Sequence, residues 1–387
     1  MAYVPGIGGA GYVVDIGKLK KYSFELGSIR PPSEGGSFSL LIRATRNCPW
    51  NRCAFCYGSP YNHERFELRP VDEIKADIES ARDISNEIKA LSWKLGCAGR
   101  IEPLATVLQR NLLYDEDVRD LTGDEVSNFY CVVNVFNWLC SGGKTVFLQD
   151  ADTPIMPTHQ LVEVIRYLKE TFPSVERVTS YARSKTIAKK KPEELNQLHQ
   201  IGLSRLHIGL ETGDDELLSY VNKGVTAEAH VLAGKKALEA WFELSEYVMP
   251  GLGGKDRWTQ HAENTARVLN EINPHFIRLR PFVPGYNTPM FEAYQKGEFE
   301  LTSPHERLRE IGLMIEKLQV TSRICFDHNR NPSVWVGNRL VPLLKQDYDG
   351  YKLPEEKEVV LELINKGLQL DETAFIDVKD MMSIPYL

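Results

Sequence analysis

Six short apolar runs, interleaved with patterns of helical period, constrain this chain more than any other feature. Ser39–Arg43, Thr145–Leu148, Arg177–Tyr181, Arg205–Leu210, Leu244–Val248 and Phe276–Arg280 read as buried strands. A helical pattern begins near Val71, another places Leu161, Ile165, Leu168 and Phe172 at helical spacing, and a third stops at Gly202, a residue suited to a helix C-cap. Such alternation predicts an α/β fold with a parallel sheet. Six units fall short of the eight of a closed barrel. The expectation is therefore a partial (β/α)6 TIM-like barrel over residues 37–300, after an N-terminal extension at 1–36. About fifty extra residues, roughly 92–143, read as a helical insertion, because a structureless loop of that length is uncommon. Residues 301–387 read as a small C-terminal subdomain, helical and irregular.

Composition narrows the class. The 387 residues carry 46 Lys and Arg against 53 Asp and Glu, a net charge of −7, with 42% apolar and 26% charged residues. That balance excludes a disordered chain, a collagen-like fibre and a polybasic nucleic-acid binder. No run approaches the ~18 apolar residues of a membrane span, and the N-terminus lacks a basic segment followed by an apolar core. The expected setting is the cytoplasm, with no membrane partner. Seven cysteines are too few for a disulfide scaffold, but Cys48, Cys53 and Cys56 crowd into nine residues. In a reducing compartment such a cluster points to a metal or redox centre.

The cluster reads Asn47-Cys48-Pro-Trp-Asn-Arg-Cys53-Ala-Phe-Cys56, a Cys-x4-Cys-x2-Cys spacing. Three thiolates from one loop hold three corners of an iron–sulfur cube and leave the fourth iron open, whereas electron-transfer cubes take four cysteines. An open metal position is a substrate or cofactor site. The loop also follows the first strand, at the sheet edge where α/β folds place active sites. The alternative is a structural zinc, with His63 or Cys97 as the fourth ligand.

The loop resembles that of the radical S-adenosylmethionine (SAM) enzymes, whose closely spaced cysteines carry an aromatic before the last, as Phe55 is here. The first gap is four residues in place of the usual three. The resemblance extends over about residues 37–290. Phe147-Leu-Gln-Asp150-Ala151-Asp152 lies where the family has its second-strand Gly-Gly-Glu motif, whose backbone carbonyls and acid hold the SAM amino group; Asp150 and Ala151 stand in place of the glycines, and the resemblance implies Asp152 as the acid. Ile208-Gly209-Leu210-Glu211-Thr212-Gly213 is similar to the fourth-strand segment of oxygen-independent coproporphyrinogen oxidases, methylthiotransferases and elongator-type enzymes. By that resemblance Gly209 lets SAM approach the backbone and Glu211 faces it. Arg183 sits where relatives often contact SAM, and Pro284–Pro289 resembles their Gly-Thr-Pro turn. The resemblance implies an oxygen-sensitive enzyme with one 4Fe–4S cluster and SAM as cofactors, and a 5′-deoxyadenosyl radical as its agent. It also implies a low-potential electron donor such as flavodoxin or ferredoxin.

Strand alternation gives the clue to substrate. In Phe276–Arg280, Ile277 and Leu279 share one face and Arg278 and Arg280 the other; in the fourth strand, Leu206, Ile208 and Leu210 oppose His207, Gly209 and Glu211. Inward-facing guanidiniums suit carboxylate or phosphate, so a small anionic substrate is expected, with His207 and Tyr247 as further contacts. The alternative pairs these arginines with acids such as Glu211 or Glu246. RNA modification is a second enzyme reading, but the net charge of −7 and the lack of clustered cations argue against a nucleic-acid partner. A zinc-stabilised binding protein is the third reading. Gly6–Gly11 fits Gly-x-Gly-x-x-Gly but follows no strand, so no dinucleotide fold is expected. Cys97, Cys131, Cys140 and Cys325 are expected as buried small groups.

Overall fold

The computed structural model describes residues 17–29, 38–56, 64–105, 108 and 123–383. Its contacts divide into two compact units, one of Met1–Arg46, Leu68–Asp150 and Met156–Thr179, the other of Asn47–Glu67, Ala151–Ile155 and Ser180–Leu387. The Gly6–Gly11 run, His63 and residues 106, 107 and 109–122 of the expected insertion lie outside the described residues.

In the first unit, Leu40–Arg43 (β1) pairs in parallel with Thr145–Gln149 (β2), in the register Leu40↔Val146 to Arg43↔Gln149. Three helices accompany them: Val71–Lys94 (α1), Gly123–Cys140 (α2) and Thr158–Thr171 (α3). On α1 the buried Ile74, Ile78, Ala81, Ile84, Ile88 and Leu91 recur at three and four residues, the stripe that packs a helix on a sheet. The Asn134 side chain of α2 accepts the Leu41 N–H (3.0 Å) and donates to the Ser39 carbonyl (3.0 Å), which satisfies the backbone of β1. The predicted helical insertion thus contributes at least α2.

Arg177–Ala182 (β3) begins in the first unit and ends in the second. The second unit continues with Ser184–Lys189 (α4), Pro192–Ile201 (α5), Leu203–Glu211 (β4), Asp215–Tyr220 (α6), Ala227–Glu239 (α7), Glu243–Val248 (β5), Gly254–Ile272 (α8) and Phe276–Leu279 (β6). Pro289–Gln295 (α9) and Pro304–Lys317 (α10) follow. Strands β4, β5 and β6 are parallel neighbours. The α/β class and its parallel pairing are as the alternation predicted. The sheet, however, continues beyond the sixth predicted strand: Arg323–Cys325 (β7) pairs in parallel with β6, and Tyr351–Lys352 (β8) runs antiparallel to β7. Both lie in the segment expected to be a separate subdomain. Strands of three and two residues are too short to show an alternation in sequence. No described helix is long and apolar enough to cross a membrane.

Register also settles the face of Glu246. It pairs with Ile208 on one side and Ile277 on the other, so it shares the apolar face and not that of His207. It is fully buried, and neither oxygen has a hydrogen-bond partner among the described residues. Burial, then the nearby Glu211 carboxylate, raises its pKa well above the usual value. The folded chain therefore keeps this proton after the unfolded chain has lost it, so stability falls as pH rises from about 4.5 toward the folded value. Glu246→Gln is expected to flatten that fall. Tm measured between about pH 5 and pH 8 checks it, and equal slopes in both proteins would mean that Glu246 is ionised when folded.

Candidate functional site

The cysteine loop leaves the end of the first strand and is shaped by two asparagines. Asn47 and Asn51 take φ of 67° and 43°, the left-handed region that Asn tolerates. Asn47 Nδ2 donates to the Arg65 carbonyl at 2.7 Å. The loop is then tied on both sides: the Ala54 N–H donates to the Val221 carbonyl (2.8 Å), and the Ala54 carbonyl accepts the Met290 N–H (3.2 Å). Met290 belongs to α9, whose N-cap is Thr288: its hydroxyl donates to Gly285 (2.7 Å) and accepts the Phe291 N–H (3.2 Å). The Gly-Thr-Pro-like turn therefore helps to anchor the cysteines.

Trp50 pins the other end. Its Nε1 donates to the Asn222 carbonyl at 2.7 Å, and its ring lies so close to Gly224 that an added Cβ would sit 2.4 Å from it. Gly224 also has φ +72°, where a side chain is strained. Gly224→Ala is expected to lower stability by about 1–3 kcal/mol. An unchanged Tm in that variant would mean that the loop does not depend on this contact.

All three thiols are free; Cys53 is buried and Cys48 and Cys56 are half-buried. A hydrogen bond from Cys56, and then the charges of Lys223 and Arg183, bring the Cys53 pKa down to about 7 against the effect of burial. The same hydrogen bond, with burial, pushes Cys56 well up. The shared hydrogen bond and the local cations thus favour thiolate at Cys53 over Cys56.

Beside the loop lies the end of β4. Its register shifts between Gly209 and Glu211, and Glu211 takes φ 63°, a strained conformation for a glutamate. Its carboxylate meets the Lys223 ammonium at 2.8 Å, with both side chains nearly buried (13% and 12% exposed). Glu211, then Cys53, hold the Lys223 pKa up although burial opposes it. The ammonium is 5.6 Å from the Phe55 ring centroid. A Cβ on Gly209 would meet Glu211 Oε1 at 2.2 Å and Lys223 Nζ at 3.0 Å, so the missing side chain is what makes room for this ion pair. Sequence reasoning missed Lys223: a single lysine in an Asn-Lys-Gly turn carries no signal until α6 folds the chain back.

Other predicted residues have roles inside the protein. Asp152 is fully buried and accepts the Arg183 N–H (3.0 Å) and the Thr186 hydroxyl (2.5 Å), at the start of α4. Burial pushes its pKa up to about 6. The Arg183 guanidinium donates to the Lys223 carbonyl (2.7 Å) and lies 5.3 Å from the Trp50 ring centroid. Asp150 belongs to the first unit, where it accepts Arg43 Nε at 2.8 Å.

The polar face of β4 to β6 brings together the predicted substrate contacts. His207 stacks on Tyr247 (centroids 5.5 Å apart), and Tyr181, not anticipated from sequence, packs against both at 5.8 and 5.9 Å. The Arg280 guanidinium lies 4.9 Å from the Tyr247 ring centroid. Both arginines meet one acid, at 2.7 Å from Arg278 and 2.8 Å from Arg280, and it is Asp327, neither Glu211 nor Glu246. Arg278 is fully buried, whereas Arg280 keeps 22% of its side chain exposed.

Among the described residues, no three His, Cys, Asp or Glu side chains close around a single ion. The donor set itself fits a cube held by three thiolates: one thiol is already low in pKa, and buried cations stand by to balance the anionic sulfurs. Cys97, offered as a fourth zinc ligand, lies buried in the first unit. Cys131 and Cys325 are buried too, as expected, and burial pushes them up to about 11 and 12, whereas Cys140, expected to be buried, is only half-buried near the end of α2.

No protein-family model matches the chain. A tRNA uridine(34) acetyltransferase of Methanocaldococcus jannaschii is 26% identical over 141 residues, which are 34% of this chain and 25% of that protein. The match thus spans about a quarter of the length of that curated relative. A solved coproporphyrinogen III oxidase of Escherichia coli, described as a radical SAM enzyme, aligns over 45% of this chain and 39% of its own, with 17% identity and a TM-score of 0.37. A radical SAM methyltransferase of Kitasatospora setae, with cobalamin and a 4Fe–4S cluster bound, aligns over 85% and 52%, with 11% identity and a TM-score of 0.44. The chain is similar to radical SAM enzymes, the resemblance that its cysteine loop carries.

Proposed function

We propose that this protein is a radical SAM enzyme whose Cys48, Cys53 and Cys56 hold a 4Fe–4S cluster. The observation that carries the reading is the set of three thiols in one loop, with Cys53 lowered in pKa next to the nearly buried Lys223–Glu211 pair for which Gly209 makes room. Held by these three thiolates, such a cluster would supply the single electron that reductive cleavage of the SAM sulfonium requires.

This chain's residues do the rest. Lys223 offers its ammonium to the SAM carboxylate, and Glu211 accepts from the SAM amino group, so the zwitterionic end of SAM meets a complementary ion pair. Asp152 acts one step back, fixing the start of α4 and with it Arg183. Asp150 holds Arg43 in the first unit, and its assignment to SAM stays with the resemblance. The Tyr181, His207 and Tyr247 rings exclude water from the polar face, which a radical that attacks C–H bonds needs. The substrate is a small anion that engages Arg280, the exposed member of the arginine pair, and shares it with Asp327.

A second reading is favoured by the curated relative: the substrate is tRNA. Addition of unfractionated tRNA that accelerates 5′-deoxyadenosine formation would select it. The metal itself tests the common core of both readings. Anoxically reconstituted protein is expected to hold about four irons and about four sulfides per chain. About one zinc per chain, with no sulfide, would replace both by a zinc-stabilised binding protein.

A further inference from the structure

Three cations surround one indole on the cysteine loop. The Arg52 and Arg183 guanidiniums lie 5.5 and 5.3 Å from the Trp50 ring centroid, and Lys185 Nζ lies at 5.4 Å. The ring is held by its bond to Asn222 and its contact with Gly224, so the cations gather on a fixed platform. Arg52 and Lys185 are exposed, and neither has an acidic partner among the described residues. Cation–π contact returns only about 0.5–1 kcal/mol per exposed cation, while the like charges repel one another. In a chain of net charge −7, two exposed cations without an acidic partner are completed by an anionic surface from outside.

Its place in the chain says which surface. Trp50 is two residues from Cys48, and Arg52 adjoins Cys53. At ~3.3–3.6 Å per residue, whatever covers the patch comes within about 10 Å of the thiols. We propose that this patch docks a small acidic electron carrier of the flavodoxin or ferredoxin type, and that the reducing electron enters through it. The proposal rests on the radical SAM reading, in which SAM cleavage consumes one electron. That electron leaves the carrier's reduced cofactor and ends in the broken S–C5′ bond: the sulfonium cation becomes the neutral thioether of methionine, and C5′ keeps the unpaired electron. No proton or atom crosses between the proteins. An RNA backbone is the competing anion, but three cations give a small footprint, whereas RNA binding spreads cations over a wide face.

The test compares two reductants on the full-length reconstituted protein. Dithionite diffuses freely and needs no docking surface; reduced flavodoxin does. Arg52→Glu/Lys185→Glu is expected to keep its iron and its dithionite-driven 5′-deoxyadenosine rate, and to lose about tenfold or more of its flavodoxin-driven rate at low donor concentration. Arg52→Gln/Lys185→Gln should fall between, and added salt should slow the parent more than either variant. Unchanged flavodoxin kinetics in the Glu variant overturn the proposal, and if tRNA retardation on a native gel is lost instead, RNA is the occupant. No product from the parent with dithionite would fail the radical reading itself, which the comparison thus separates from failure of the docking site.

Discussion

Cys53→Ala is expected to strip the protein of its iron and to bring 5′-deoxyadenosine formation below detection. Cys53 is the buried member of the three thiols, the one brought down to about 7, and the one whose negative charge faces Lys223 and Arg183. Alanine leaves two thiols, too few to hold a cube that already has one open iron. It also leaves Lys223 with Glu211 alone for compensation. Cys97→Ala is the control: that thiol is buried in the first unit, so iron and activity should stay at the parent level. Iron and sulfide measured per chain, beside the product assay, decide the matter. A Cys53→Ala protein with full iron would sink the assignment, and loss of metal in Cys97→Ala would favour the zinc alternative.

Lys223→Met should have the next largest effect, on two quantities that can be separated. Removing the ammonium leaves the Glu211 carboxylate nearly buried and unpaired, which costs about 3–5 kcal/mol of stability. It also removes the charged partner of the SAM carboxylate. A hydrogen bond to a charged group is worth about 1.5–3 kcal/mol, so SAM affinity should fall roughly 10- to 100-fold. Lys223→Met/Glu211→Gln should recover much of the lost Tm, because it removes both charges, but not the SAM affinity. Lys223→Arg keeps the charge and should retain most of both. Equilibrium dialysis with SAM beside thermal melts makes the comparison. If Lys223→Met binds SAM as the parent does, the ion pair is structural only.

What was legible in the sequence is local. The cysteine loop announces itself because its donors sit within nine residues. The strands announce themselves because four to nine residues are enough for a hydrophobic run. What escaped depends on chain returning from a distance. Lys223 reaches Glu211 only because α6 turns the chain back over twelve residues, and Asp327 reaches Arg278 and Arg280 from two residues past the end of β7, a strand too short to predict. The face of Glu246 was misread for another reason. A glutamate in a strand invites a polar face, but register places it between Ile208 and Ile277, where burial raises its pKa well above the usual value. The hydrogen bonds of Arg183 and Asp152 go to each other, to the Lys223 carbonyl and to Thr186, partners that lie too far apart in sequence to be read from it.

The central claim is that this loop, with Lys223 and Glu211, cleaves SAM reductively. The most direct measurement is an anoxic incubation of iron–sulfur-reconstituted protein with SAM and dithionite, followed by chromatography for 5′-deoxyadenosine. The account predicts that 5′-deoxyadenosine is released by the parent and not by Cys53→Ala. A parent that holds about one zinc in place of iron and releases none would contradict it.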